Sequence, residues 1–232
     1  MAGTRHISVS LSRKEILWGW IYLAAELLVL PTVLIYISGR LFPGVTDAEV
    51  NFLYYLLNFI AVILIFGGYL KRNLNIAGSN LLRTLLFVLL GLAGYWASNL
   101  IMAELNAILM PDFANVNDMA IAAISKDSYF LVALGTVLLV PTAEECLFRG
   151  LLFREFYGKS RWAAYTISAI CFSLIHIGGY LGSYDPALLA MCFIQYLPAG
   201  LILAWCYEKS NTIVTPILIH TLINAIGIYS MR

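Results

Sequence analysis

Seven long apolar stretches limit what this chain can fold into more than any other feature of its sequence. They lie at roughly 16–38, 50–70, 81–103, 129–153, 162–182, 186–207 and 212–230. A helix needs about 20 mainly apolar residues to cross a bilayer. Of the 232 residues, 61% are hydrophobic and 12% are charged, whereas soluble domains carry about 25% charged residues. We therefore predict an all-α integral membrane protein with about seven transmembrane helices.

Lysines and arginines are concentrated on one side of the predicted spans. Ten of them lie on that side: Arg5, Arg13, Lys14, Lys71, Arg72, Arg83, Arg154, Lys159, Arg161 and Lys209. The opposite side carries only Arg40, Lys126 and Arg232. Because Lys and Arg are enriched in cytoplasmic loops, the N-terminus is predicted to be cytoplasmic and the C-terminus to lie outside.

No repeat or linker divides the sequence, so we predict one membrane domain over 1–232. Three N-terminal spans and an outer loop occupy 1–128, and the polar motifs described below lie in 129–232. The polar stretch at about 104–128 could be a loop or a short helix on the membrane surface. A net charge of +1 without a basic patch argues against a nucleic-acid partner. The four cysteines lie in apolar segments and are interpreted as buried free thiols.

Two adjacent glutamates and an arginine follow the fourth apolar run with no polar loop between them. The stretch reads Pro141-Thr-Ala-Glu-Glu-Cys-Leu-Phe-Arg-Gly150 and contains Glu144, Glu145 and Arg149. An ionisable group in a membrane helix costs about 2.5–3.5 kcal/mol and by default indicates a functional site. Glu145 and Arg149 are four residues apart and can pair on one helix face, whereas Glu144 points about 100° away. We therefore expect Glu144 to act in chemistry and Glu145 to hold Arg149.

Two histidines lie at membrane depth in later spans. The fifth span contains Phe172 and His176. The seventh contains His220 and Asn224, which project from one helix face. At about 1.5 Å of rise per residue, the histidines and Glu144 lie at overlapping depths. We expect them to meet in one cavity on the cytoplasmic half of the bilayer, although a histidine alone also suits an interhelical hydrogen bond.

Prolines near these groups predict breaks in two helices. Pro141 precedes a capping-box pattern in which Thr142 would be the N-cap. Pro216 suits the first position of a helix. Broken helices at membrane depth occur where they are buried in protein or line a water-filled cavity. A reaction that uses water within the membrane would need such a cavity. Glu26 in the first span is interpreted as a structural hydrogen-bonding group or as part of the path by which substrate enters.

Together the polar motifs resemble those of the CPBP family of intramembrane proteases. This family includes the type II CAAX prenyl endopeptidases and the bacteriocin-processing and immunity proteins called Abi. Its pattern is Glu-Glu-x-x-x-Arg, then Phe-x-x-x-His, then His-x-x-x-Asn or Asp. The matching residues, in that order, are Glu144, Glu145 and Arg149, then Phe172 and His176, then His220 and Asn224. The resemblance covers about 129–230, and the first three spans match only as hydrophobic helices.

The resemblance implies an endopeptidase that hydrolyses peptide bonds within the membrane. Under it, Glu144 is the general base and holds the attacking water together with His176. His220 and Asn224 would donate hydrogen bonds to the oxyanion of the tetrahedral intermediate, and the other two residues of the first motif would orient the site. The implied partner is a membrane-associated peptide or protein, either a CAAX-type protein or a bacteriocin or pheromone precursor.

The residues leave the participation of a metal open. Glu144, His176 and His220 could supply the ligands of a catalytic zinc, which uses three protein ligands and an open position. Against this, the sequence contains no His-Glu-x-x-His motif, and the ligands would come from three separate helices. A glutamate-activated water with an Asn/His oxyanion hole needs no metal or other cofactor, and we favour that mechanism.

Two other classes of function fit parts of the pattern. A non-catalytic bacteriocin-immunity or membrane scaffold protein of the same family would bind a peptide or a partner in the membrane. A small transporter would be expected to contain inverted repeats, and the sequence shows none. We favour the protease, in a cell membrane, and the short chain suggests a prokaryotic plasma membrane.

Overall fold

The computed structural model describes residues 7–42 and 44–231, and within these ranges the regular structure is entirely helical. The helices are α1 (Arg13–Leu28), α2 (Leu30–Leu41), α3 (Asp47–Ser79), α4 (Leu81–Leu109), α5 (Val116–Ser125), α6 (Tyr129–Tyr157), α7 (Arg161–Gly178), α8 (Pro186–Ser210) and α9 (Val214–Ser230). The predicted all-α class is therefore confirmed. Arg5 and Arg232, which were counted in the charge asymmetry, lie outside the described residues.

Each of the seven predicted apolar stretches is helical, but the helices differ in length. α3, α4, α6 and α8 are long and apolar enough to cross a membrane, and α1 with α2 forms a fifth, bent candidate. α9 is apolar but has only 17 residues. The protein is therefore a multi-pass membrane protein. The number of seven spans and the cytoplasmic N-terminus stay predictions.

The first span is bent by 53° between α1 and α2. Pro31 lies in the first turn of α2, and a proline ring removes a helical hydrogen bond and clashes with the carbonyl four residues earlier. α1 begins with a capping box in which Ser12 and Glu15 each bond the other's backbone N–H. The start of the span is thus fixed, and its second half leans away at Pro31.

α6 runs without interruption, so the predicted break at Pro141 is wrong. It contains two stretches of π-helix, Gly135–Leu139 and Cys146–Phe153, on either side of a short α-helical segment. Thr142 lies inside the helix and is not an N-cap. The wider π turn before Pro141 lets the helix pass the proline without ending. π-helical turns are rare and occur frequently at functional sites.

Pro216 is the third residue of α9, where we predicted the first. The first four N–H groups of a helix have no intrahelical partner, so a proline is tolerated there. The polar stretch before α6 forms the short helix α5, which is capped by the Asn115 side chain. Of the two alternatives left open for this stretch, the structure contains the helix.

The end of the bundle that carries the Lys/Arg-rich loops is closed by packing. Ile7, Val9 and Leu11 are buried in the main hydrophobic cluster. The backbone N–H of Ser8 donates to Asn211 Oδ1 at 2.7 Å, which ties the N-terminal segment to the turn after α8. Asn211 holds that turn in the left-handed conformation, with φ of 63°. The segment 7–11 therefore plugs this end.

α7 and α8 approach each other closely at Gly200. A Cβ atom at Gly200 would lie 2.9 Å from Ala169 Cα. This distance is so short that the backbone of α7 or α8 would have to shift. We expect Gly200→Ala to destabilise the protein by about 1–3 kcal/mol, as overpacking does. The matched control is Gly94→Ala, because a Cβ there would meet Ile202 at an ordinary 3.7 Å.

Thermal unfolding in detergent, followed with a thiol-reactive dye, would measure this difference. Cys146, Cys192 and Cys206 are buried and become reactive on unfolding. An unfolding temperature for Gly200→Ala equal to that of Gly94→Ala would contradict the close packing described here.

Candidate active site

A cavity of about 440 Å³ lies among the helices and collects most of the predicted site residues. Glu144 on α6, His176 on α7, and His220 and Asn224 on α9 all line it. Glu145 and Arg149 do not, because both lie fully buried behind its wall. The structure therefore separates the two adjacent glutamates into one that faces the cavity and one that faces protein.

The buried pair has the geometry that its spacing indicates. Arg149 Nη1 donates to Glu145 Oε1 at 2.8 Å, with both side chains at 0% exposure. Arg149 Nη2 donates to the Gly200 carbonyl at 3.2 Å. The guanidinium carbon also lies 4.3 Å from the centre of the Phe172 ring, in range of a cation–π interaction. Arg149 therefore links α6 to α7 and α8.

Glu145 also holds His220, which the sequence did not indicate. His220 Nδ1 lies 2.9 Å from the same Glu145 Oε1 that accepts from Arg149. A carboxylate only accepts hydrogen bonds, so Nδ1 carries a proton when Glu145 is ionised. This leaves Nε2 as the ring atom that can face a substrate. A carboxylate that orients a histidine is a recurring feature of hydrolytic sites.

His176 is oriented by its own helix and by α8. Its Nδ1 donates to the Phe172 carbonyl at 2.8 Å, since a carbonyl can only accept. The imidazole also stacks on the Tyr196 ring with centroids 4.2 Å apart. Nε2 then carries a lone pair in the neutral ring and can accept a hydrogen bond in the cavity.

Glu144 differs from Glu145 in what its carboxylate contacts. Oε1 of Glu145 bonds Arg149 and His220. Oε2 of Glu144, like Oε2 of Glu145, has no hydrogen-bond partner among the described residues, but Glu144 lines the cavity. An unpartnered buried oxygen is costly unless water or a ligand satisfies it. The Glu144 carboxylate is therefore the group in the cavity that is best placed to bind a water or a substrate N–H.

Asn224 connects the third motif to the first π-helical stretch of α6. Its Nδ2 donates to the Thr136 carbonyl at 2.9 Å. An amide nitrogen has two N–H groups, so this bond fixes the side chain and leaves one donor. The irregular hydrogen bonding of a π turn frees such a carbonyl for a side chain.

Several residues outside the three motifs also line the cavity, and of these the sequence analysis named only Glu26, as a structural hydrogen-bonding group or as part of the path by which substrate enters. Glu26 on α1 lines the cavity and is buried, with one unpartnered oxygen. The amide and phenol side chains that also line it include Asn51, Tyr54, Tyr55, Asn58, Asn115 and Gln195. The available signal was a set of asparagines inside apolar spans, since polar groups in such spans are rare.

The cavity lies in a different half of the bundle from the one we predicted. His176 is two residues from the end of α7 that faces away from the Lys/Arg-rich loops. Asn115 and Asn117, at the start of α5, also line the cavity. α7 ends at Gly178, four residues before the apolar stretch from which it was predicted, so His176 lies closer to this end of the bundle than that stretch indicated.

The arrangement of possible metal ligands can also be described. Within residues 7–42 and 44–231, no three His, Cys, Asp or Glu side chains are grouped closely enough to hold a metal ion. The Nδ1 atoms of His176 and His220 are bonded within the protein, so Nε2 is the atom of each ring that could bind a metal. The described side chains therefore do not form a ready zinc site, and no step below passes through a metal.

Comparison with known proteins agrees with the motifs. Residues 126–226 match the model of a family described as type II CAAX prenyl endopeptidase Rce1-like. The matched segment, 101 of the 232 residues, is similar to this family. The match covers nearly the same residues as the resemblance found in the sequence, and it includes α6 to α8 and most of α9, with all six predicted site residues. The assignment to the family of CAAX-type proteases is therefore confirmed.

Two relatives of the chain come from Lactococcus lactis. The UPF0177 protein YxdF is 29% identical over 90 residues, which are 39% of this chain and 44% of the relative. The UPF0177 protein YaiH is 30% identical over 97 residues, which are 42% of this chain and 36% of the relative. The chain thus spans less than half the length of each. No solved structure matches it at a significant level.

Proposed function

We propose that this protein, whose residues 126–226 match the Rce1-like family model, is an intramembrane endopeptidase that hydrolyses peptide bonds of membrane-associated substrates. One observation carries the proposal. Glu144 lines the same cavity as His176 and His220 and has an unpartnered carboxylate oxygen there, while the adjacent Glu145 lies outside the cavity lining and bonds Arg149 and His220 through its Oε1. The site thus contains a carboxylate, Glu144, whose Oε2 has no protein partner, and two histidines whose orientation is fixed by hydrogen bonds at Nδ1.

In the proposed reaction, Glu144 takes a proton from water as the water oxygen attacks the scissile carbonyl carbon. His176 Nε2 accepts the second hydrogen bond of that water and so fixes its direction. When the tetrahedral intermediate collapses, the protonated Glu144 returns its proton to the leaving amide nitrogen. The products are a carboxylic acid, which keeps the second proton of the water, and an amine; transfer of that proton gives a carboxylate and an ammonium group, and Glu144 is regenerated. General-base catalysis of this kind supplies about 10²–10⁴ in rate.

The oxyanion would be held from α9. Asn224 has one N–H left after its bond to Thr136. His220 can donate from Nε2 when its ring carries both protons, and the Glu145 carboxylate, 2.9 Å from Nδ1, would then face the positive charge. Each donor to an oxyanion is typically worth about 10²–10³ in rate.

Cleavage of a mixed peptide library by purified protein in detergent or liposomes, read by mass spectrometry, tests the proposal. Cuts made by the wild type but not by Glu144→Gln would establish a protease and begin to define its substrates. If neither protein cuts and Glu144→Gln keeps the biological phenotype, the protein acts as a non-catalytic immunity or scaffold protein. CAAX-type proteins and bacteriocin or pheromone precursors are the proposed substrate classes, in a prokaryotic plasma membrane.

We further propose that hydrolysis needs no metal. The support is chemical: Glu144 can take a proton from water directly, and His176 lines the same cavity and can hold that water. Active enzyme treated with a strong zinc chelator is expected to keep its rate, and metal analysis is expected to give less than one ion per chain. Stoichiometric zinc whose removal abolishes cleavage, and whose return restores it, would contradict this mechanism.

A further inference from the structure

The cavity opens at the end of the bundle that faces away from the Lys/Arg-rich loops. Among its described lining residues, three are exposed to solvent: Asp118, Gly179 and Ser230. Asp118 lies in α5, Gly179 directly follows α7, and Ser230 ends α9. The buried lining residues, which include His220 and Leu203, lie deeper in the bundle. A substrate that approaches from this end therefore meets the mouth of the cavity.

The other end is sealed. Tyr69 and Tyr207 are fully buried below the cavity and share a hydrogen bond of 2.7 Å between their hydroxyls. Arg154 donates to the Ile7 carbonyl at 3.3 Å, and Arg72 to the Ser10 carbonyl at 3.1 Å. These bonds hold the N-terminal plug in place over a continuous hydrophobic cluster. No described lining residue is exposed at this end.

The distribution of charge assigns a side of the membrane to each end. The plugged end carries the Lys/Arg-rich loops, which marks it as cytoplasmic. The open end carries mostly acidic side chains: Asp47, Glu49, Glu104, Asp112, Asp118, Asp127 and Asp185. The mouth of the cavity therefore faces the extracytoplasmic side.

The charged residues that line the cavity limit which substrates it can bind. Glu26, Asp118 and Glu144 line it, and its described lining residues include no Lys or Arg. The nearby charge of Arg149 is fully buried and paired with Glu145. A carboxylate on the substrate would lie near Asp118 and Glu144, with no Lys or Arg in the described lining to pair with it, and placing like charges together costs several kcal/mol in a complex. Amide side chains such as Asn115 and Gln195 instead suit the peptide backbone.

We propose that the substrate enters this site from the extracytoplasmic side, as an uncharged or basic segment of an exported polypeptide. The inference rests on the proposed proteolytic function for what is cut, and on the structure for the side of access. Of the two substrate classes proposed above, this selects the bacteriocin or pheromone precursor, because the prenylated C-terminus of a CAAX-type protein on the cytoplasmic surface would meet the plugged end. A free terminal carboxylate within the cavity would find no described cation there.

Thiol labelling tests the side of access without catalysis. Asn99→Cys and Asn117→Cys place a thiol in the cavity wall, Asp112→Cys marks the open end, and Lys159→Cys marks the plugged end. Bacterial spheroplasts that express each variant are treated with a membrane-impermeant maleimide, before and after permeabilisation. The wild type, whose cysteines lie within helices, sets the background.

We expect the cavity variants to react in intact spheroplasts together with Asp112→Cys, and Lys159→Cys to react only after permeabilisation. Reaction of both cavity variants only after permeabilisation would overturn the proposal. The two cavity positions lie on different helices, α4 and α5, so one of them can fail to fold without loss of the test.

Vesicles of known orientation test the substrate. A peptide that the wild type cuts and Glu144→Gln does not is added outside right-side-out or inverted vesicles. Cleavage only by right-side-out vesicles is expected, and cleavage only by inverted vesicles would overturn the proposal. Among the cut peptides, we expect Asp and Glu to be depleted next to the scissile bond, and enrichment of these residues would contradict the charge argument.

The two proposals can fail separately. If the wild type in detergent makes no cut that Glu144→Gln does not also make, and Glu144→Gln keeps the biological phenotype, the proteolytic function is rejected. In that case the labelling still decides whether the cavity is reached from the extracytoplasmic side.

Discussion

Glu144→Gln is expected to lower kcat for peptide cleavage by at least about 10²–10⁴-fold. Glutamine keeps the shape and the hydrogen-bonding reach of the side chain but cannot take a proton from water. Because Glu144 Oε2 has no protein partner, little packing is lost, and the unfolding temperature is expected to stay close to that of the wild type. Initial rates on a peptide identified from the library, with parallel thermal unfolding, give both quantities.

The matched control is Glu104→Gln, which changes an exposed carboxylate outside the cavity lining. It is expected to keep the wild-type rate. His176→Ala and His220→Ala are expected to share the loss of Glu144→Gln, because each removes an imidazole that faces the cavity. A folded Glu144→Gln variant with the wild-type rate would remove this residue from the mechanism.

The second large effect is expected on stability. Arg149→Met leaves the Glu145 carboxylate buried without its cation, and breaking a buried ion pair in this way costs about 3–5 kcal/mol. It also removes the bond to the Gly200 carbonyl and the contact with the Phe172 ring. Thermal unfolding with the thiol-reactive dye should show a lower transition temperature, and the variant should accumulate to lower levels in membranes.

The double variant Glu145→Gln/Arg149→Met distinguishes the effect of an unpaired buried charge on stability from the effect of lost packing. It removes both buried charges and keeps a side-chain oxygen that can accept from His220 Nδ1. Replacing a buried pair by neutral groups is often close to neutral for stability, so the double variant should be more stable than Arg149→Met alone. If the two are equally unstable, the loss comes from packing around Arg149, and the ion pair contributes little.

The stability of this pair also bears on activity. Glu145 Oε1 contacts both Arg149 and His220, so a shift of the arginine moves the histidine that faces the cavity. Positioning of this kind can change rates by about 10²-fold for a displacement of about 1 Å. The pair therefore links the interior packing of α6, α8 and α9 to the geometry of the site.

The sequence by itself determined the features of this protein that lie within single helices. Apolar runs of helical length indicate helices in a membrane, because backbone N–H and C=O groups must be satisfied within the segment there. The spacing of four residues places Glu145 beside Arg149, since such residues are neighbours on one helix. The motifs also identified the family, and the residues of the cavity that carry charge or imidazole in α6, α7 and α9 were all named.

Only the tertiary structure decided which groups meet between helices. His220 contacts Glu145, and Asn224 contacts Thr136, through packing of α9 on α6, which no local spacing encodes. Glu26 reaches the cavity because α1 packs on α3. The mouth of the cavity faces away from the Lys/Arg-rich loops because the N-terminal segment fills the other end. Such contacts depend on how helices pack together, whereas the helices and their polar faces follow from the order of residues along the chain.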